Sequence, residues 1–255
     1  MPPVENTASL GIFSIFKKKD SGPASIGPLK VDVHSHLVPA IDDGIQSVEE
    51  GLEILREMEA LGYEKVITTP HTMPGNFDNT PEIIRSGLEV IKKAVAEAGI
   101  NIQMECATEY YLDESFMKRL ADDEPLMTFG QNYVLFETAF LNPPPFMKDA
   151  TFQMSLKGYR PVYAHPERYM YLIQNSRLLD EMIDRDVVFQ LNLVSLAGAY
   201  GKPVQKFAEK LIDRGVVRMV GTDCHNMGHI DFVKQATRTK YYQKLMQSDL
   251  LNNSL

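Results

Sequence analysis

From Leu29 onward, short runs rich in Val, Ile and Leu alternate with amphipathic stretches, and the alternation repeats seven times. Strands are expected near 30–34, 64–69, 101–109, 132–137, 160–165, 187–192 and 217–222. Helices are expected near 47–61, 81–98, 113–122, 146–157, 171–184, 203–214 and 229–247. Val66-Ile67, Tyr133-Val134-Leu135-Phe136 and Val187-Val188-Phe189 lack polar alternation, so these strands should be buried on both faces, as in a parallel sheet covered by helices. An α/β barrel of seven or eight strands fits this order, and a doubly wound open sheet is the structural alternative. The first helix has punctuation at both ends: Ser47 and Glu50 form a capping box, and Gly62 stops it. Thr80 caps the second, with Pro81 at its first position.

With 255 residues, 44% of them hydrophobic, the chain can bury one full core. Residues 30–255 are read as one barrel domain and 1–29 as a flexible leader rich in Gly, Pro and Ser. Within the leader, the apolar run Leu10 to Phe16 precedes Lys17, Lys18 and Lys19, the reverse of a signal peptide. The alternative for this segment is docking on a partner or an inner membrane surface. No run of about 18 apolar residues exists to span a membrane. The net charge of -8 makes nucleic acid a poor partner. Two cysteines, Cys106 and Cys224, make no disulfide framework, and a reducing cytoplasm is the expected setting.

The chemistry concentrates in histidines. Of six, five (His34, His36, His71, His165 and His225) fall where an expected strand ends, and His229 follows in the next helix. A barrel gathers the C-terminal ends of its strands on one face, so residues far apart in sequence meet there. His34 and His36 share one side of an extended chain. Asp42-Asp43-Gly44 follows them, with Gly44 read as permitting a sharp turn. Glu109, Glu137 and Asp223 end further strands. Imidazoles and carboxylates in this mixture are ligands for Zn, Mn or Fe, and several cations are expected. Arg168, three residues after His165, is expected to reach the same site and offer its planar fork to phosphate oxygens.

Clustered divalent cations activate water and neutralise a phosphoryl group in transfer. Rival nucleophiles are missing. Six residues after Cys106 stands Leu112 and six after Cys224 stands Ile230, so neither forms the C-x5-R loop of a cysteine phosphatase. There is no G-x-S-x-G elbow and no P-loop. Cys224 should point away from the site, and one ring of Tyr110-Tyr111 lines the pocket or packs in the core.

Asp32-Val33-His34-Ser35-His36, Asp42-Asp43-Gly44, Thr69-Pro70-His71, Glu109, Glu137, His165-Pro166-Glu167-Arg168 and Gly221-Thr222-Asp223-Cys224-His225-Asn226 resemble the polymerase-and-histidinol-phosphatase (PHP) superfamily. More narrowly they resemble its bacterial protein-tyrosine phosphatases of the capsule and exopolysaccharide type, over roughly residues 30–245. Asn192-x-x-Ser195-Leu196-x-Gly198-x-Tyr200-Gly201 is similar to the sixth-strand loop of that branch. The resemblance implies a distorted (β/α)7 TIM-like barrel with three divalent metal ions, often manganese, iron or zinc. On matching positions it implies His34, His36, Glu109 and Asp223 around the first, Glu109, Glu137 and His165 around the second, and Asp43, His71 and His225 around the third. Arg168 would clamp the phosphate. The implied substrate is phosphotyrosine on a membrane-associated bacterial tyrosine kinase. Two departures stand out: Thr72-Met73-Pro74-Gly75 and Met227-Gly228-His229 occupy stretches where relatives carry arginine, so the positive side of the pocket is expected to be thinner or filled from elsewhere. A small-molecule phosphatase, acting on a histidinol-phosphate-like ester or a sugar phosphate, is the alternative function. A non-catalytic metal-stabilised scaffold and an exonuclease-like role rank below it.

Overall fold

The computed structural model describes residues 24–255, and what was expected of residues 1–23 lies outside them. In chain order the elements are β1 (Val31–Asp32), α1 (Val48–Leu61), β2 (Lys65–Thr68), β3 (His71–Thr72), α2 (Pro81–Glu97), β4 (Gln103–Cys106), β5 (Glu109–Tyr111), α3 (Glu114–Ala121), β6 (Tyr133–Glu137) and α4 (Met147–Leu156). They continue with β7 (Arg160–Ala164), α5 (Met170–Gln174), α6 (Ser176–Ile183), β8 (Val188–Asn192), α7 (Leu193–Leu196), α8 (Lys202–Asp213), β9 (Val217–Gly221), α9 (Met227–Ala236) and α10 (Lys240–Leu245). Every strand pair is parallel. The architecture is the expected distorted α/β barrel, not an open sheet.

The distortion has a local cause. The strand expected at 64–69 is followed beyond Pro70 by a second short strand, and the one expected at 101–109 is broken in two, leaving a sheet ordered β1-β2-β4 and another ordered β3-β5-β6-β7-β8-β9. Pro70 stands at the first break and has no N–H for the ladder. Its carbonyl instead accepts from the Glu109 N–H at 3.1 Å and the Thr108 hydroxyl at 2.6 Å, so the second strand bends with the first. The bend carries His71 and Glu109 to matching positions on β3 and β5.

β1 and β9 close the barrel mostly through side chains. The buried Asp32 carboxylate accepts from the Thr222 N–H and hydroxyl at 2.8 and 2.9 Å. A parallel bridge joins Ser35 to Cys224. At the other end Asn252 donates to the carbonyls of Val31 and Val220 at 2.9 and 2.8 Å.

Side chains alternate between two apolar clusters with the strand period of two. Leu135, Val162, Ala164 and Met219 fill the barrel interior, while Val134, Phe136, Tyr163 and Val220 pack against the surrounding helices. The expected caps are present. Ser47 accepts from the Glu50 N–H at 3.2 Å, and the Glu50 carboxylate reaches back to the Gln46 N–H at 2.9 Å. Gly62 ends α1 with φ 109°, and Thr80 caps α2 ahead of Pro81.

Three expectations change. Packed structure begins before residue 30: Ile26 and Leu29 are buried, and the Ile26 N–H donates to the Leu61 carbonyl at 3.0 Å. The helix expected at 171–184 breaks at Asn175, whose side chain accepts from the Arg177 N–H and caps a new helix. The helix expected at 229–247 breaks likewise, with Thr239 capping α10.

Candidate metal centre

All nine histidines and carboxylates expected as ligands, together with Arg168, meet at one end of the barrel, where most follow or end a strand but His71 and Glu109 open the short strands β3 and β5. His34 and His36 leave the end of β1, Glu109 starts β5, Glu137 ends β6, and His165 and Asp223 follow β7 and β9. His165 and Asp223 both turn inward through the left-handed region, with φ of 35° and 50°. That conformation costs roughly 1 kcal/mol for a residue with a Cβ, a strain that re-aims both side chains at the cavity.

Ligand atoms converge in four overlapping groups: His34, His36 and Asp223; His34, Glu109 and His165; His71, Glu109 and Glu137; and His36, Asp43, His71 and His225. In the innermost region His34 Nε2 lies 3.2 Å from Glu109 Oε2 and 3.4 Å from Asp223 Oδ1. His36 Nε2 lies 3.4 Å from the same Asp223 oxygen. Glu109 turns its other oxygen to His165 Nε2 at 3.0 Å. Toward the mouth, Asp43 Oδ1 stands 3.5 Å from His71 Nε2 and 3.3 Å from His225 Nε2. His71 is shared, because its Nδ1 faces Glu109 and Glu137, each at 3.2 Å.

These residues fit divalent cations on the geometry alone. Among the described residues, the buried His71 Nδ1 and Glu137 Oε1 lack a hydrogen-bond partner although they lie 3.2 Å apart, since they are not aligned on each other. Polar atoms buried in this way are costly unless something between them satisfies both. The electrostatics agree. Burial pushes the His34 pKa down, but Glu109 and Asp223 outweigh it and raise it to about 9. Burial likewise opposes, and contact with Glu137 and the charge of Glu109 overcome it, to bring His71 to about 10. Burial works against ionisation of Glu109 and Asp223, yet the histidines, His34 foremost, hold both well below the usual carboxylate range. Glu137 is raised by burial and by the neighbouring Glu109 charge. So many carboxylates in so little water demand positive charge, and protons on imidazole or divalent cations meet that demand.

Asp42 and Asp43 differ in role. Asp43 faces the cavity, whereas Asp42 is buried behind it and accepts from His36 Nδ1–H at 2.8 Å, from the His71 N–H at 2.9 Å and from the Gly44 N–H at 3.0 Å. Burial raises the Asp42 carboxyl, but the His36 charge and these hydrogen bonds prevail and hold it at about 2. With Nδ1–H so engaged, His36 presents Nε2 inward. Gly44 serves by close approach and not by a left-handed turn: a Cβ there would stand 2.2 Å from the His36 carbonyl oxygen. This support for His36 was not recognised in the sequence, although a doubled aspartate ahead of a glycine was its signal.

Arg168 lies on the cavity wall in the 3-10 turn Pro166–Arg168. Its guanidinium is held between the rings of Phe140 and Tyr200, at 4.6 and 4.3 Å, and donates to Asp223 Oδ2 at 3.1 Å. The neighbouring Glu167 is buried, accepting from the Asn192 N–H at 2.9 Å and the Ser195 hydroxyl at 2.7 Å, so the turn is fastened to the end of β8. His229 also lines the cavity, with its Nδ1 2.6 Å from the Asp223 carbonyl oxygen. Of the tyrosine pair, Tyr111 lines the cavity, while Tyr110 packs in the core and accepts from the Met127 N–H at 2.9 Å. Cys224 is fully buried, and burial pushes its thiol far up, so it supplies no thiolate.

The cavity above these groups holds about 990 Å³. Phe140 and Leu141 form an apolar lip beside the exposed Asn76 and Asn142, and Met73 and Phe77 also line the cavity. Leu141 is 72% exposed. The sequence had not singled out this lip.

A known tyrosine-protein phosphatase, YwqE of Bacillus subtilis (strain 168), is 29% identical over 205 residues, spanning 80% of this chain and 81% of its own. The tyrosine-protein phosphatase CpsB of Streptococcus pneumoniae is 26% identical over 202 residues, spanning 77% and 83%. A chain from the crystal structures of YwqE from Bacillus subtilis and CpsB from Streptococcus pneumoniae, described as unique metal-dependent tyrosine phosphatases, superposes with a TM-score of 0.78 at 27% identity. That superposition spans 88% of this chain and 90% of the other. The family model described as capsular polysaccharide synthesis, CpsB/CapC, matches residues 30–254, and the chain belongs to that family.

Proposed function

We propose that this chain is a metal-dependent phosphomonoester hydrolase acting on protein phosphotyrosine. The observation that carries the proposal is the set of overlapping imidazole and carboxylate groups beside Arg168 at the base of one cavity. The tyrosine-phosphatase activity of its relatives supports the same reading.

His34, His36, Glu109 and Asp223 are proposed to hold one cation; Glu109, Glu137 and His165 a second; and Asp43, His71 and His225 a third. Divalent cations bound there lower the pKa of water toward 7 and draw charge from phosphoryl oxygens. Manganese is the proposed metal, and iron and zinc accept the same mixed donors. Glu109 has a carboxylate oxygen facing each of two neighbouring groups, so it sets their spacing. Arg168, held between two rings, keeps its remaining N–H groups for the phosphate. The apolar lip accepts an aromatic ring and shields the reacting phosphate from bulk water. A phenolate with a pKa near 10 leaves with less protonation than an alkoxide needs.

The proposed partner is a phosphotyrosine-bearing protein of capsular or exopolysaccharide synthesis, a membrane-associated tyrosine kinase. The reading carries with it a proposed cytoplasmic location, peripheral at the inner membrane face. Among the described residues no helix is long and apolar enough to cross a membrane.

Purified protein loaded with manganese should release phosphate from phosphotyrosyl peptides. No release with manganese, iron or zinc rejects the activity. Faster turnover of small aliphatic phosphomonoesters at equal concentration reassigns the substrate.

A further inference from the structure

We propose that Gln190 and Asn192 form a directed amide relay that fixes the tautomer of His34 and the orientation of Asp223, and so positions two ligands of the innermost cation. The inference rests on the reading that these two residues hold a cation. β8 ends between strands that deliver His165 and Asp223, yet it carries no imidazole or carboxylate at its own end. Its inward positions are two amides instead, at i and i+2 on the same face. Gln190 and Asn192 are both fully buried.

The contacts run in one line. Asn192 Nδ2 lies 2.6 Å from Asp223 Oδ2, Gln190 Nε2 lies 3.0 Å from Asn192 Oδ1, and Gln190 Oε1 lies 2.8 Å from His34 Nδ1. Their direction follows from chemistry. An ionised carboxylate only accepts, so Asn192 must turn its NH2 to Asp223. Its oxygen then faces Gln190, which must answer with its own NH2. The Gln190 oxygen is left facing His34, so His34 Nδ1 must carry a proton. Nε2 is thereby the atom His34 offers to the cation, and it is the atom that faces Glu109 and Asp223. At the far end, Asn192, Arg168 and Tyr200 all donate to Asp223 Oδ2, leaving Oδ1 for the side shared with His34 and His36.

Space is made for the relay. A Cβ on Gly221 would come within 2.6 Å of His34 Cβ and 2.8 Å of Gln190 Nε2. Only glycine at the end of β9 lets the two side chains meet there. The relay does for His34 what the Asp42 carboxylate does for His36, but with neutral groups. It fixes a tautomer without adding another negative charge to an interior that already holds Glu109, Glu137 and Asp223.

The test uses the near-isosteric variants Gln190→Met and Asn192→Leu and their double, loaded with manganese or zinc. Chelator competition measures cation affinity, and thermal melting confirms folding. Each single substitution should weaken the tightest cation about 10- to 100-fold. The double should bind no more than a few-fold worse than the weaker single, because a broken relay is not broken twice. Singles that bind like the wild type, or a double that loses the product of the two, overturn the relay and leave the phosphatase reading intact. Wild-type protein that binds no cation overturns both. Nitrogen-15 NMR of the zinc-loaded wild type decides independently of how the variants fold: His34 must show a protonated Nδ1, and an unprotonated Nδ1 ends the proposal.

Discussion

The ligand cluster has an inner half and an outer half that differ in their contact with water. The side chains of His34, His36, Glu109 and Asp223 are at most 2% exposed. In the outer half Asp43 is 57% exposed, His225 16% and His71 11%. The inner half is also braced from behind, with His36 on Asp42 and Asp223 beneath Asn192, Tyr200 and Arg168. Asp43 has no comparable backing among the described residues. An inner carboxylate stripped of its positive partners keeps a charge that water cannot reach, whereas Asp43 can be hydrated at once. The inner half should therefore hold its cations tightly and the outer half exchange them.

Several experiments would break or sharpen this contrast. Exhaustive chelation should abolish activity, and metal analysis during the titration should show loss in at least two stages, the outer cation leaving first. Release of all cations at one affinity would erase the distinction between the halves. Glu109→Gln, which strikes the carboxylate shared by two groups, should lower kcat on the order of 1,000-fold and remove bound metal, as measured by elemental analysis. Arg168→Ala should lower turnover about 100-fold but metal content far less, because the guanidinium addresses phosphate while Asn192 and Tyr200 still hold Asp223 Oδ2. A large loss of bound metal would instead make Arg168 a structural brace for Asp223. Asp43→Asn should weaken only the most labile cation, by about 10-fold, in chelator competition. Smallest of all, Phe140→Ala removes one ring from Arg168, a contact of about 0.5–1 kcal/mol. It should raise KM for a phosphotyrosyl peptide roughly 2- to 5-fold, with metal affinity unchanged.

Much of the site was legible because its residue types are rare and its positions are regular. Few chains place imidazole at the ends of several Val- and Ile-rich strands, and the period of two puts His34 and His36 on one side without reference to anything distant. The helix caps at Ser47 and Thr80 were legible for a similar reason, since a cap is made by residues three apart. Asp42 and Asp43 were harder. They are adjacent and chemically identical, and their division into support and candidate ligand depends on which one the loop buries against His36. Tyr110 and Tyr111 divide in the same way between core and cavity. Gln190 and the Phe140–Leu141 pair carried no signal, because amides and apolar residues are common, and Asn192 stood out only as the first residue of a loop motif, since its partner Asp223 lies 31 residues away.

Chain-local chemistry thus settled the strand-helix alternation, the helix caps and the inventory of histidines and carboxylates, because each is written in residues a few positions apart. Barrel closure settled the rest: the seam between β1 and β9, the spacing of ligand atoms and the partner behind each one. Those depend on distances of about 3 to 4 Å between segments far apart in sequence, as where Asn252 meets Val31 across 221 residues. Such distances are set by strand register and packing, which no short stretch of sequence contains.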